Sequence, residues 1–545
     1  MARHSRGAKA ASPSKMSEKP KQKGKGGSLS KRASAHGTKS RGNRTLPFPE
    51  EVLPLIYPFL TWRDTYRVRG VSRSWQTAYR ASLEHASLVW TSQVFQGESW
   101  DEILGKLQAH EQVFETPTLP HLAWVIASGQ PHSFRRMSGW QKLLDVVTQR
   151  NLLPVTCNVV CAYSDAGLIG YNTNGGVPPT ELESDTIDGN MALAITVGHL
   201  PGTSLTLALP EKDEINAILR AVQAGAGTSA SLGLPRDTSS VVVLSTNGRQ
   251  SANLLRGLHF LHPSLESVVG ALVHFTDRCV PLVYRNATYN PTNRTWQNHL
   301  VQTTNLLVGF SGRVRAAPFV SLGFEVCSPI LQCAGVVEEE HFHLLHMYDA
   351  VHTAENPTRP VHPLDVMRLP PPQGSLHLFV ADSAATLESF VVAPSPTYSE
   401  NAAGLTCIEC MYDIDKHILF SQSSGDLTIV DYWPVGAYGV FCTQTAAAAR
   451  HDFIASLKQV QDKVAAEGGQ AIGALTFPCA ARGAVFYDVP NAEGDLFHAE
   501  FPSLPLTGVF AGGEIGPMAL PGGTCAAAST QLQQFTTCGA VFYST

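Results

Sequence analysis

"AAARHDFIASLKQVQDKVAAEGGQAIGALTFPCAARG" (447–483) settles the fold class of this chain. Over 447–466, Phe453, Leu457, Val460 and Val464 recur at helical spacing and line one face, and Gly468 with Gly469 stops the helix. "AIGALTF" then reads as a short buried strand that runs into the turn "PCAARG". A helix that hands over within a few residues to an apolar strand is the unit of a mixed α/β layer. The same alternation extends in both directions. "HLAWVIASG" (121–129) reads as a buried strand and "GWQKLLDVVTQRNLL" (139–153) as a helix. "TCNVVCAYSDAGLIG" (156–170) reads as one strand that ends in a glycine turn. "MALAITVGHLPG" (191–202), "SSVVVLST" (239–246), "LESVVGALVHF" (265–275) and "TTNLLVGFSGRV" (303–314) continue the β pattern. A further strand, "LTGVF" (506–510), ends in "AGGEIGP". No 20–50-residue period repeats, which argues against a solenoid or propeller. The expected class is α+β or α/β.

Length allows about two to four domains over 545 residues. The hydrophobic fraction of 43% and charged fraction of 16% suit globular cores. The net charge of −5 conceals a division. Residues 1–45 hold 13 Lys+Arg against one acid, Glu18, whereas the remainder carries 27 basic and 44 acidic residues. That tail ("KPKQKGKGGSLSKR") has too few large apolar side chains to offset chain entropy, so it is expected to be disordered. Its two readings are a solvated basic arm and a nuclear-import or nucleic-acid contact. No apolar leader and no run of eighteen apolar residues occurs, so neither secretion nor a membrane span is expected. Eleven scattered cysteines fit reduced thiols in a cytoplasmic or nuclear setting.

Directly after the tail comes "FPEEVLPLIYPFLTWRDTYRVRGVSRSW" (48–75). Pro49 with Glu50 and Glu51 marks a helix start. Val52, Leu53, Ile56 and Leu60 keep helical spacing, and Asp64 can cap a second helix carrying Val68, Val71 and Trp75. So few helices cannot close a core alone, and part of their apolar face must be covered by the rest of the chain or by a partner. From Pro49 to Trp75 the order of these residues resembles the F-box. Phe48 and Thr65 stand where that family usually has Leu, and Pro54 and Pro58 are unusual inside a helix. The resemblance implies a docking surface made of Phe48, Pro49, Val52, Leu53, Ile56, Leu60, Val68, Val71 and Trp75. Its partner would be a Skp-type adaptor, within a cullin and RING ubiquitin ligase.

A second resemblance covers roughly 115–540. "ALTFPCAARGAVFY" followed by "LPLTGVFAGGEIGP" is similar to the C-terminal half of the FIST domain. "NVVCAYSDAGLIG", "LAITVGHLPG" and "LVGFSGRV" look like its N-terminal half. That family is regarded as an intracellular sensory domain for small molecules such as amino acids, and a subset carries an F-box in front. The organisation expected is a tail (1–45), an F-box (46–90), an N-terminal lobe with its linker (91–345) and a C-terminal lobe (346–545). Breaks are expected near 171–190, 222–238 and 355–374.

The candidate pocket residues are Cys479, Arg482, Gly483, Gly512, Gly513, Glu514 and Gly516. Arg482 and Glu514 each follow a strand in glycine-rich turns that permit close backbone approach. Two arrangements fit: a pocket in which Arg482 grips a carboxylate and Glu514 an amine, or an ion pair that pins two turns. Cys479 is either a buried strand-end cysteine or a thiol activated by a neighbour. His341, His343 and His346 are close in sequence, but on a strand only the first two share a face, so no metal is expected. Cys407 and Cys410 lack the second pair of a structural zinc site. No catalytic signature occurs, and no cofactor is implied. Two functions follow. One is a non-catalytic receptor that recruits unknown protein substrates to the ligase; the other is a small-molecule sensor whose ligand gates partner binding. A thiol-dependent hydrolase using Cys479 is a third.

Overall fold

A computed structural model describes the chain apart from residues 1–51, 53–55, 58–59, 61, 69–70, 85, 111–113, 115–118, 130–136, 151, 174–177, 184–190, 225–230, 274–281, 291–294, 335–336, 340–343, 348–350, 354–357, 359–375, 386, 389–405, 414–417, 423–434, 518–529 and 534. The chain divides into Met1–Pro47 and Phe48–Thr545, and everything below belongs to the second unit. The basic tail, Phe48, Pro49, Leu53, Pro54, Pro58, His341, His343 and most of the break at 355–374 lie outside the described residues.

Helices in chain order are α1 (Trp62–Val68), α2 (Arg73–Glu84), α3 (Trp100–Ala109), α4 (Met137–Gln149), α5 (Lys212–Gln223), α6 (Gly248–Leu261), α7 (Ala446–Ala466), α8 (Ala484–Tyr487) and α9 (Ala492–Glu500). They accompany four sheets, so the architecture is mixed α/β.

Strand Leu122–Gly129 shows how the layers form. Leu122, Trp124 and Ile126 enter a central core, while Ala123, Val125 and Ala127 enter a second core beneath α3 and α4. Period-2 alternation with apolar residues at every position is the pattern of a strand covered on both faces. The first sheet runs Val89–Gly97, Met191–His199, Leu122–Gly129, Asn158–Ser164, Leu282–Asn290, Thr295–Thr303. The second runs Thr530–Gln533, Gly513–Pro517, Ser267–Leu272, Ser240–Ser245, Asn305–Gly312, Thr203–Ala208, and α5 and α6 cover its outer face. The third runs Val314–Ser321, Thr537–Ser544, Gln470–Pro478, Leu506–Val509, Gly167–Gly170, Thr180–Glu183, beneath α7 and α9. The inner faces of all three meet at Trp90, Phe310 and Phe542, whose rings lie 4.9 and 5.1 Å apart pairwise around Phe542. A fourth sheet of nine strands is built around Leu376–Ala381 and Tyr438–Gln444.

Both the second and third sheets take strands from either side of residue 345, so the lobe boundary expected there does not separate two sheets. The stretch 156–170 is also not one strand. Asn158–Ser164 joins the first sheet and Gly167–Gly170 the third. Gly167 makes the change of direction at φ +139, where a Cβ would lie 2.4 Å from the carbonyl oxygen of Leu182. Helix α7 begins at Ala446, with the Thr445 hydroxyl accepting from the amide of Ala448 at 3.0 Å. Phe453, Leu457, Val460 and Val464 face the core, and Gly468 ends the run at φ +63.

Near the front, Asp64 is not the cap of α1. The helix already starts at Trp62, which leaves Asp64 in the first turn, favoured by the macrodipole and 3.4 Å from Arg67. Tyr57 is fully buried against Trp75 and Tyr79, and its hydroxyl donates to the Trp75 carbonyl at 2.6 Å. Trp62 is buried and donates from Nε1 to the carbonyl of Phe114 at 2.9 Å, which ties α1 to the chain beyond α3. Val52, Ile56, Leu60, Val68 and Trp75 remain half-buried, and Val71 is 67% exposed.

Candidate functional site

The end of strand Gln470–Pro478 carries the candidate residues. It runs parallel to Leu506–Val509, an approach that requires glycine at 508, where a Cβ would sit 2.2 Å from the Thr476 carbonyl oxygen. Cys479 continues the pairing as a bridge to Ala511, and the amide of Arg482 donates back to the Cys479 carbonyl at 2.8 Å. This tight turn over Ala480–Arg482 aims the Arg482 side chain inward.

Arg482 is 1% exposed. Its Nη1 donates to the Ser321 carbonyl at 2.7 Å, its Nη2 to the Ser321 hydroxyl at 3.1 Å, and its Nε lies 3.6 Å from the Glu493 carboxylate. Burial works against the guanidinium charge, but Tyr487, Glu493 and Asp452 outweigh it, and the pKa is raised. Glu493 lies in the first turn of α9 and accepts from the Tyr487 hydroxyl at 2.6 Å and from the Thr537 hydroxyl at 2.7 Å. Burial and the Glu493 charge push the Tyr487 hydroxyl far up, so it stays a donor.

Glu514 is not in a turn. It occupies strand Gly513–Pro517, opposite Ala271 on one side and Gln533 on the other. Its Oε2 accepts from the amide and the hydroxyl of Thr536 at 3.1 and 3.0 Å. Oε1 is buried and takes no ordinary hydrogen bond among the described residues. Complete burial pushes the carboxyl up to about 8, so it is a neutral acid at pH 7. Cys479 lies against it. Burial, then the charge of Glu514, raises that thiol well above its ordinary value. A thiol that resists ionisation is a poor nucleophile.

The sequence brings Cys479, Arg482 and Glu514 into one buried region, but the ion pair of Arg482 runs to Glu493. Gly483 precedes α8 and admits the Glu183 carboxylate, whose oxygen would lie 1.9 Å from a Cβ there. The Gly512 amide donates to Leu272 at 2.9 Å, Gly513 pairs with Leu272, and Gly516 lies against Cys538.

Sequence reasoning missed four acids. Glu493 reads as an ordinary first-turn acid, and Asp452 is a polar residue of the packed α7 stripe whose carboxylate accepts the amides of Leu322 and Gly323. Glu181 and Glu183, on strand Thr180–Glu183, accept the amides of Gly494 at 2.6 Å and Ala484 at 2.7 Å, at the starts of α9 and α8. Burial, then the charge of Glu493, pushes Glu181 up to about 8. For Glu181 and Glu183 the available signal was "ELE" inside the break expected near 171–190.

Among the described residues, no group of three His, Cys, Asp or Glu could hold a metal ion, and no helix is long and apolar enough to cross a membrane. His346 lies on strand Leu344–Met347, and Cys407 and Cys410 on strand Thr406–Asp413, with side chains outside the described set.

Comparison with known proteins places these residues in context. The model of the FIST C domain matches residues 391–517, which include every candidate from Cys479 to Gly516. An uncharacterised protein of Mycobacterium bovis is 33% identical over 97 residues, 18% of this chain and 24% of that protein. One of Mycobacterium tuberculosis is 35% identical over 98 residues, with the same coverage. An F-box/LRR-repeat protein of Arabidopsis thaliana is 36% identical over 73 residues, 13% of each chain. The chain therefore spans about a quarter of the length of the mycobacterial relatives it matches. Residues 391–517 are a FIST C domain.

Proposed function

We propose that this chain is a substrate receptor of an SCF-type ubiquitin ligase, holding target proteins through its FIST portion and the Skp-type adaptor through residues 48–75. The observation that carries the reading is the unfinished face of the front module. Trp62 and Tyr57 are sealed into the chain, but Val71 is 67% exposed and Ile56, Leu60 and Val68 are only half covered. Burying aliphatic side chains there would contribute roughly 1.5–3 kcal/mol each before the costs of association. The partial likeness to an F-box/LRR-repeat protein supports the same reading. The chain itself makes and breaks no bonds in its target; it raises the effective concentration of target and charged ubiquitin carrier.

Co-expression with a Skp-type adaptor tests this. The adaptor should co-purify with the full chain, and Ile56→Glu combined with Val71→Glu should cut its recovery at least tenfold at unchanged melting temperature. Val485→Glu, at a site 89% exposed elsewhere, should leave recovery intact. Undiminished capture by the double variant sinks the reading.

A second reading is favoured by the buried Oε1 of Glu514, which takes no ordinary hydrogen bond among the described residues, whereas the Nε of Arg482 faces the Glu493 carboxylate at 3.6 Å. The ammonium of a small amino-acid-like ligand at this place would satisfy Glu514 and gate partner binding. A thermal-shift series with amino acids should give a saturable rise; a flat response across the panel rejects it.

A further inference from the structure

The first sheet has an open edge. Strand Val89–Gly97 stands at its end and pairs with Met191–His199 on one side, so one row of its backbone groups faces away from the sheet. In an antiparallel ladder the amide and carbonyl of one residue point the same way, and alternate residues share that direction. Ser92 marks the outward set: its amide donates to the Thr173 hydroxyl at 2.7 Å, and its carbonyl accepts the Thr173 amide at 3.0 Å. Two positions on, the Val94 amide donates to Asn172 Oδ1 at 2.9 Å. Two further on, the Gln96 carbonyl accepts from Lys106 Nζ at 2.7 Å. The chain thus covers its own edge from both ends, a common protection of exposed strands. The cover stops short in the middle. The Val94 carbonyl and the Gln96 amide belong to the outward set and make no hydrogen bond among the described residues.

A cavity of about 260 Å³ lies along this stretch, close to the lower end, about 300 Å³, of small-ligand sites. Gln93, Val94, Phe95 and Gln96 line it, together with Lys106, His110, Asn172 and Thr180. The open pair of groups is spaced for a polypeptide. In a parallel pairing the ladder bonds slant to the two neighbours of the residue opposite. A visiting residue opposite Phe95 would donate its N–H to the Val94 carbonyl and accept the Gln96 N–H with its own carbonyl. We propose that this cleft takes an extended, uncharged segment of the target protein as an added strand on Val89–Gly97. The inference deepens the substrate-receptor reading, and it rests on that reading for the segment's role as target.

Charge separates a peptide from a free amino acid here. A free amino acid brings an ammonium and a carboxylate, and each needs a counter-charge when it leaves water. Lys106 is already matched, with Nζ 2.6 Å from the Glu102 carboxylate, and Gln93, Gln96, His110, Asn172 and Thr180 carry no fixed charge. Neutral peptide amides require only the acceptor and the donor that the edge leaves open. Register is limited as well. Thr173 fills the Ser92 position and Lys106 the Gln96 carbonyl, so an added strand gains its main-chain bonds at one place on the edge.

The test uses the full chain and a blocked heptapeptide of Gln, Thr, Val and Ser, acetylated and amidated; main-chain pairing needs no particular sequence. Calorimetry reads affinity, and hydrogen exchange by mass spectrometry reads the amides of residues 93–97. Saturating peptide should slow that exchange at least fivefold, and a copy N-methylated at its central residue should bind at least tenfold more weakly. Gln96→Pro removes the outward amide at an edge position where proline is tolerated, and should weaken the unmodified peptide at least tenfold. Gln96→Ala keeps the amide and should stay within twofold of the parent. Should Gln96→Pro melt below the parent, the N-methylated peptide decides the matter on the unmodified chain. Unchanged exchange, equal affinity for the N-methylated copy, or equal slowing by free glycine overturns the inference. Adaptor capture, measured on the same preparations, keeps the readings apart. Peptide binding absent with capture intact overturns this inference alone, and capture absent overturns the receptor reading and with it the segment's role as target.

Discussion

The Nη1 of Arg482 donates to the backbone oxygen of Ser321 at 2.7 Å, joining a turn of the FIST C domain to the end of a strand 161 residues earlier. Nη2 bonds the hydroxyl of the same serine, and Nε faces Glu493, so the guanidinium spends its planar fork inside the protein. Removing it would leave Glu493 buried opposite two hydroxyl donors with no cation. Arg482→Met is therefore expected to cost about 3–5 kcal/mol in urea unfolding, and Arg482→Lys to recover only part of that, since an ammonium cannot address Ser321 and Glu493 together. A loss below about 1 kcal/mol for the methionine variant would show that the network relaxes around it.

Glu514 and Glu181 give stability a pH dependence whose sign is fixed by burial. Both carboxyls titrate near 4.5 when unfolded and about 8 when folded. Between those values the folded chain keeps protons that the unfolded chain releases, so their contribution is full below about pH 4.5, declines across the window and is gone above about pH 8. Glu514→Gln, which mimics the neutral acid, should match the parent melting temperature near pH 4.5, exceed it by a few degrees at pH 9, and flatten the slope between. Parallel melting curves for variant and parent across pH 5–9 would show that Glu514 is ionised in the fold.

Cys479 should behave as an inert core thiol. With 7% of its surface exposed and its ionisation suppressed, it should escape iodoacetamide at pH 7.5 in the native protein and react in denaturant. Mass spectrometry of the peptide around residue 479 reads this directly, and rapid native labelling would restore the case for a reactive thiol.

Two glycines should respond in opposite directions. Gly105 lies within α3, and a Cβ added there would meet nothing within 4 Å, so Gly105→Ala should add about 0.5–1 kcal/mol through helix propensity. Gly508→Ala would drive a methyl into the Thr476 carbonyl oxygen and separate the two parallel strands that lead to the site. Soluble expression and thermal melting of the two variants suffice; a Gly508→Ala protein as stable as its parent would mean that this strand pair can spread without cost.

Much of the layering was legible because a strand buried on both faces and an amphipathic helix leave local signatures. "HLAWVIASG", "SSVVVLST" and the helix at 447–466 were readable for that reason. Cys479, Arg482 and Glu514 could be brought to one region because glycines at 483, 512, 513 and 516 mark turns and close approaches. Their partners were not readable. Nothing in the residues around Ser321 or Glu493 announces that they meet Arg482, since an acid in a first turn and a serine at a strand end are ordinary in any helix or strand.

By itself, the sequence determined the α/β class, the separation of a basic tail from an acidic remainder, and the existence of an apolar module at the front, because composition and periodicity are properties of short stretches. Only the tertiary structure decided that strands from both halves share three of the four sheets, that Arg482 pairs with Glu493, and that Glu514 is a neutral buried acid. Those outcomes depend on which distant segments exclude water from a given side chain. That is settled by how the whole chain packs, and no local stretch encodes it.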